Sequence, residues 1–552
     1  MSGNLAGLTR GDTLVPRASA RVPWGRLRAY WLTPAGVVMG LATLLALVIR
    51  LYTLTRPGYL TGVTEYDDGV YLGGTTRLIE GALPYRDWAF VQPPGILLLM
   101  TPVALVAKLS TVTHAMALAR VLTALASTAC VPLVGALARH RGALVTSVAC
   151  GVLAVYPDDV TTAHTLILEP WMNLCLLIGA CFAFRDGQLA RPGRLLWAGI
   201  AIGFAGAVKY WAALPAAVLL AALLFGARPD RIRRVLRYLG GVAIGFLAPV
   251  LPFALSAPAA FVQSTLTDQV AREGSYVPLS MRFAHVTGLI DILNGQGHLS
   301  LHAGTHSLFA SGGAAATSTT GAGWLPFAVT VAAIGALFVC YALRPYGLSV
   351  MECFAMVTAV VSIVAIMAYS AFFYHYPDFT APWLALTVGG AAGALSRIEA
   401  PTARRILAGV IGFVVIAVGA FQAQELSGLR APDLTPDQAV IPPGSCVLTD
   451  ETSLVVAANR FTAAAPGCPD VLDSLAQTLV LSHGVSVQGG AASLPNVVAA
   501  WQSLLGKASY VWLSPTNARR IPWTPALSLW FTAHFAQLST PGHGVGTVYK
   551  RV

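Results

Sequence analysis

Charged side chains are scarce in this chain. They make up 11% of its 552 residues, where a soluble globular domain carries about 25%. Lysine is scarcer still. Only Lys108, Lys209, Lys507 and Lys550 stand among 35 basic residues, the rest being Arg. Such a chain cannot coat a water-facing surface, which excludes the roughly three or four soluble domains that its length would suggest. Disorder is excluded as well, because hydrophobic residues reach 56% and disorder needs few of them. There is no Cys-x-x-Cys, no phosphate-cradling Gly loop and no Gly-x-Ser-x-Gly. The net charge of +11 does not describe a nucleic-acid binder, because the Arg residues sit in short clusters at the ends of apolar runs.

Those runs are what the sequence has in abundance. Mean hydropathy is +0.67, and apolar runs fall near 33–53, 93–108, 115–137, 143–157, 168–184, 195–208, 212–226, 238–256, 325–343, 353–373, 380–396 and 405–422. A bilayer span needs ~20 apolar residues, fewer where it is packed. Arg clusters lie in the leader and at Arg139/Arg141, Arg185/Arg191/Arg194, Arg228 to Arg237, Arg344 and Arg397/Arg404/Arg405. Basic residues concentrate in cytoplasmic loops. All clusters share one side only if 93–108, which begins Pro93-Pro94-Gly95 and contains Pro102, does not cross. The expected architecture is therefore an α-helical polytopic membrane protein with about eleven transmembrane helices. A cytoplasmic leader, 1–32, precedes a membrane module, 33–424. That module has a first external loop at 54–114 and a long one at 257–324. The first apolar run reads as an anchor, not a cleaved signal.

The tail, 425–552, changes character. Strand-like runs (Cys446–Thr449, Tyr510–Ser514, Gly546–Lys550) alternate with helix-like ones (Ser453–Asn459, Asn496–Leu505, Pro525–Phe535). It reads as a small extracytoplasmic α/β domain. Six of the eight cysteines lie in or beside apolar runs, and Cys446 and Cys468 are the two in the tail. In an oxidising compartment an even pair reads as a disulfide. His298, His302 and His306 recur every four residues, but Gly304 and the Gly/Ser-rich stretch 303–323 oppose a helix there. No metal site is expected from them.

Polar residues gather in the loops of the non-Arg side. The densest group runs Thr64-Glu65-Tyr66-Asp67-Asp68-Gly69-Val70-Tyr71, then Arg77, then Gly81-Ala82-Leu83-Pro84-Tyr85-Arg86-Asp87, then Gln92-Pro93-Pro94-Gly95. Adjacent carboxylates repel, so one holds its proton more tightly, and a carboxylate of raised pKa suits a general base. The plainer reading of Asp67-Asp68 is a solvated acidic loop. A second group is Tyr156-Pro157-Asp158-Asp159 with His164 and Glu169, which begins a span. Intramembrane acids are functional candidates, although an acid at a helix start also suits the helix dipole. Tyr374-His375-Tyr376-Pro377-Asp378 joins two spans on the same side, where an aromatic belt is the alternative.

The ordered set of first span, external acid pair, Gly-x-Leu-Pro-Tyr-Arg-Asp, Gln-Pro-Pro-Gly, amphipathic helix and Arg-capped span resembles the GT-C superfamily of polytopic glycosyltransferases. Within it, protein O-mannosyltransferases and lipid A aminoarabinose transferases are the most alike, best over 33–240. The resemblance implies a polyprenyl-phosphate sugar donor lying in the bilayer and a cell-envelope glycan, lipid or protein as acceptor. It implies inversion at the anomeric carbon, with Asp67 as general base and Asp68 beside it. It places Tyr71, Tyr85, Asp158, Asp159, Glu169, Tyr374 and His375 around the substrates. The aminoarabinose transferases carry a Lys where this chain has Gln92, so the cation for the leaving phosphate must come from elsewhere. Arg272 is the first candidate, with Arg282 and Lys209 as others, while Arg77 and Gln92 are counted among the substrate-binding residues. No cofactor is expected, and the acid-rich loops do not by themselves predict a divalent metal. Two other classes compete: a lipid or sugar transporter, and a non-catalytic assembly protein whose tail binds cell-wall glycan. Clean spans and polar loops favour an enzyme at the membrane surface over a transporter. Neither sugar (mannose, arabinofuranose or another) nor acceptor is named by the residues.

Overall fold

A computed structural model describes residues 32–226, 230–271, 279–288, 324–462, 466–538 and 545–552. Nearly all of the leader, Arg272, His298, His302, His306 and the stretch 303–323 lie outside the described residues. The membrane module is built from helices α1 (Pro34–Leu54), α2 (Tyr66–Ile79), α3 (Gly95–Leu109), α4 (Val112–Ala138), α5 (Ala143–Ala154), α6 (Pro157–Thr162) and α7 (Leu168–Ala183). A two-residue ribbon, β1 (Phe184–Arg185) and β2 (Gln188–Leu189), leads to α8 (Pro192–Val208), α9 (Ala213–Phe225) and α10 (Arg231–Ser256). Then come α11 (Leu279–Val286), α12 (Trp324–Ala342), α13 (Val350–Ala368), α14 (Ala381–Ala391) and α15 (Pro401–Ser427).

Five of the runs expected to cross form helices long and apolar enough to do so, namely α1, α4, α10, α13 and α15. The others are helices of 11 to 19 residues. A helix of 12 residues, like α5, covers about 18 Å, well short of a hydrocarbon core of about 30 Å. Broken backbone is tolerated at membrane depth where protein surrounds it. Here α5 is packed by α1, α4 and α14, and the chain continues directly into α6. The tightest helix pair is α8 with α10. Gly199 and Gly203 on α8 meet Gly241 and Gly245 on α10, and a Cβ on Gly245 would lie 2.1 Å from the Ile200 carbonyl oxygen. Small residues spaced by four are how membrane helices bring their backbones together.

Members of three of the Arg clusters meet at one end of the bundle. Arg141 and Arg344 both pair with Glu352, at 2.6 and 2.7 Å. Arg397 reaches the Arg344 carbonyl, and the Met351 amide bonds Gly187 in the ribbon turn. Glu352 also closes a capping box with Ser349 at the start of α13.

The tail carries β3 (Val447–Thr449), α16 (Thr452–Ala457), α17 (Ser474–Ser482), α18 (Pro495–Lys507), β4 (Tyr510–Leu513), α19 (Pro525–His534), β5 (Phe535–Gln537) and β6 (Thr547–Arg551). The sheet order is β3-β4-β6-β5, with β3 and β4 parallel and the other pairs antiparallel. The sequence reading found three of the strands and missed β5 and α17. All four residues of β4 are buried, and alternate side chains serve opposite faces. Val511 and Leu513 join Trp501, Leu505 and Phe531. Tyr510 and Trp512 join Leu434, Leu454 and Val63 of the first loop. Cys446 and Cys468 are bonded across 22 residues.

Candidate active site

Helix α2 carries the site. Glu65 caps it, its side chain accepting from the Tyr66 amide at 2.9 Å. Asp67 and Asp68 fill the first turn, where the helix dipole favours negative charge. Successive helical residues diverge around the axis, and the two acids meet different surroundings. Asp68 is fully buried. Its Oδ2 takes Arg120 of α4 at 2.6 and 3.2 Å, and its Oδ1 takes the Leu166 amide at 2.6 Å. Asp67 is only partly buried. The repulsion expected between adjacent carboxylates falls instead on Glu65. Glu65 is 7% exposed, and burial followed by the Asp67 charge pushes its carboxyl up to about 8. Tyr374 donates its hydroxyl to Glu65 Oε2. Glu65 stands in the densest group of the sequence reading but is given no role there. Its cue was its seat one residue before the helix, where an N-cap acceptor is expected.

The loop after α13 links this acid to a second group. His375, next to Tyr374 with the rings edge to face at 5.4 Å, bonds Glu169 Oε1 through Nδ1 at 2.8 Å. Lys209 donates to the same oxygen, and its ammonium lies 4.5 Å above the Tyr376 ring. The Lys209 charge is thus met by a carboxylate 1% exposed. Asp159 pairs with Arg50 inside α1 at 2.5 Å and accepts from Ser127 at 2.6 Å. Asp378 accepts from Thr162 at 2.8 Å. Burial, then the charges of Asp159 and Glu169, drive its carboxyl well above the usual range. Asp158 is buried at the start of α6. Arg50 and Arg120 lay inside apolar runs and were passed over. An Arg within a span, where a charge is costly unless paired, was the available signal.

Other candidates hold the scaffold. Arg77 bonds Asp470 at 2.5 Å, Glu80 at 2.9 Å and the Thr462 carbonyl at 2.8 Å, and its guanidinium covers Phe461. It fastens α2 to the tail. Tyr71 packs edge-on against Phe90. Tyr85 has φ 68° and bonds the Gln92 carbonyl at 2.5 Å, which folds the first loop back on itself. Arg282 gives its guanidinium to the carbonyls of Tyr369 and Ser370 at 2.5 and 3.1 Å. Among the described residues, no group of three or more His, Cys, Asp or Glu is arranged to hold a metal ion.

The tail sits directly on α2. A Cβ on Gly69 would lie 2.0 Å from the Ser453 amide nitrogen, so only glycine lets α16 approach this closely. Tyr66 bonds Asp473 at 2.8 Å, and Arg520 lies 4.1 Å over its ring.

Solved structures share the fold. ArnT from Cupriavidus metallidurans bound to undecaprenyl phosphate superposes with a TM-score of 0.58 over 93% of this chain and 97% of that one, at 14% identity. The Archaeoglobus fulgidus oligosaccharyltransferase in the apo form gives 0.55 over 95% and 75%, at 12% identity. This chain has the GT-C fold. The resemblance drawn from the first loop and its neighbours is thus matched along nearly the whole length, and the GT-C chain is a multi-pass membrane protein. No family model and no curated protein matches it by sequence.

Proposed function

We propose that this GT-C chain is a glycosyltransferase that moves a sugar from a polyprenyl-phosphate donor to an acceptor hydroxyl, with inversion, on the face opposite the Arg clusters. The observation that carries the reading is the unequal treatment of three neighbouring acids. Glu65 is capped by Tyr374 and Asp68 is neutralised by Arg120, while Asp67, between them in sequence, stays partly exposed. A proton on Glu65 near neutrality relieves repulsion and leaves Asp67 ionised to act as base. The acceptor hydroxyl gives its proton to Asp67 as its oxygen bonds to the anomeric carbon. The bond from that carbon to the phosphate oxygen breaks, and its electron pair leaves on the lipid phosphate. The fold shared with ArnT, whose structure holds undecaprenyl phosphate, supports a donor of that class. The extracytoplasmic side and the role of 425–552 as a separate domain belong to the same proposal.

The test is transfer from several radiolabelled polyprenyl-phosphate sugars to crude envelope acceptors by the purified protein. Asp67→Asn keeps the side-chain volume and removes the accepting charge, so transfer should fall about 10²–10⁴-fold while donor binding persists. Near-normal transfer by this variant would remove Asp67 from the chemistry.

A further inference from the structure

The tail has a cleft of its own, about 400 Å³ in volume, between the ends of β4 and β6 and helix α19. Among the described residues, no charged side chain lines it. Its walls are aromatic. Trp523 stands edge to face on Phe531 at 5.4 Å, and Phe531 meets Tyr549 the same way at 5.0 Å. Trp523 is pinned. Its indole N–H donates to Asn517 Oδ1 at 2.7 Å, and the Asn517 amide donates in turn to the Ser514 carbonyl at 2.5 Å. The indole so held is partly exposed and lines the cleft. Around it stand the hydroxyls of Ser528 and Thr547.

Rigid aromatic faces with a few fixed polar groups suit a ligand that has one apolar face and hydroxyls along its edge. The lack of charge turns away phosphates and acidic or basic peptides, since a charge buried without a partner is costly. We infer that this cleft binds a neutral saccharide, the glycan arm of the acceptor. The acceptor assignment rests on the transferase reading, whereas the binding does not. A path of side chains joins the cleft to α2. Ser514 donates to Asp450 at 2.6 Å, Asp450 pairs with Arg520 at 3.0 Å, and Arg520 covers Tyr66, the residue before Asp67. The cleft is thus joined to the residue before the acid through Ser514, Asp450 and Arg520.

The experiment is binding of short mannan, arabinan and glucan oligosaccharides to the full-length protein in detergent, read by calorimetry and tryptophan fluorescence. A neutral peptide and a uronic-acid oligosaccharide serve as comparisons. Trp523→Ala removes the platform, and Ser528→Trp fills the cleft from an exposed position. At least one neutral saccharide should bind, about tenfold or more weaker to each variant, with the melting of Ser528→Trp unchanged. Asp67→Asn should bind it normally, which separates this site from the failure of the catalytic reading. No saccharide bound at millimolar concentration, binding that survives both substitutions, or preference for the peptide or the uronic acid would overturn the site. Binding that Ser528→Trp abolishes without slowing transfer would overturn its role for the acceptor.

Discussion

Asp68→Asn should destabilise the protein where Asp67→Asn does not. Both Asp68 and Arg120 are fully buried. The substitution removes the carboxylate bonded to that guanidinium and turns an amide N–H₂ toward it or toward the Leu166 amide. Arg120 keeps its 2.6 Å bond to the Tyr59 carbonyl but loses its counter-charge. Breaking a buried pair from one side costs about 3–5 kcal/mol, a shift of roughly 10²–10⁴-fold in the folding equilibrium. Replacing both partners, as in Asp68→Leu with Arg120→Met, takes the stranded charge away. The Tyr59 carbonyl and the Leu166 amide then lose partners at about 1–3 kcal/mol each, so recovery should be partial. The assay is thermal melting of detergent-purified variants with monodispersity followed by size exclusion. The expected order of midpoints is Asp67→Asn level with the unmodified chain, the double variant lower, and Asp68→Asn lowest. If Asp68→Asn melts with the unmodified chain yet transfers no sugar, Asp68 belongs to the chemistry and the buried-pair reasoning fails.

Three further outcomes are expected. Glu65 is raised from 4.5 to about 8, so the folded state holds its proton more tightly than the unfolded state. That contribution is complete below the unfolded value and is lost as pH rises through about 8. Glu65→Gln should therefore flatten the decline of the melting midpoint over this window, and an equal decline in both proteins would count against a protonated Glu65. Gly69→Ala forces a Cβ to 2.0 Å from the Ser453 amide nitrogen, so limited proteolysis should release the tail from the membrane part faster, while an unchanged digestion rate would deny the close contact. Opening the Cys446–Cys468 bond, which spans 22 residues, should cost about 3 kcal/mol. Reductant should lower the melting midpoint of the unmodified chain but not of Cys446→Ser/Cys468→Ser, and a midpoint indifferent to reductant would refute it.

The sequence alone determined the class of molecule, because hydropathy and charge placement are local and a bilayer leaves few ways to satisfy them. The Arg clusters foretold that several distant loops share one end, and Arg141, Arg344 and Glu352 show them meeting. The strands of the tail at Val447, Tyr510 and Thr547 were legible as short β-prone runs, whereas β5 is three residues long and exists through its pairing with β6. What tertiary structure alone decided is which charges are committed. Asp67 and Asp68 look alike in sequence, but Arg120, about fifty positions away, neutralises one and not the other. Lys209 and Arg77 look like free cations until Glu169 and Asp470 are folded against them. Glu65 gains its proton only because burial, and then the Asp67 charge, outweigh the hydrogen bond that Tyr374 donates from the far end of the bundle. Those pairings join side chains 40 to 393 residues apart, and no local pattern of residues encodes them.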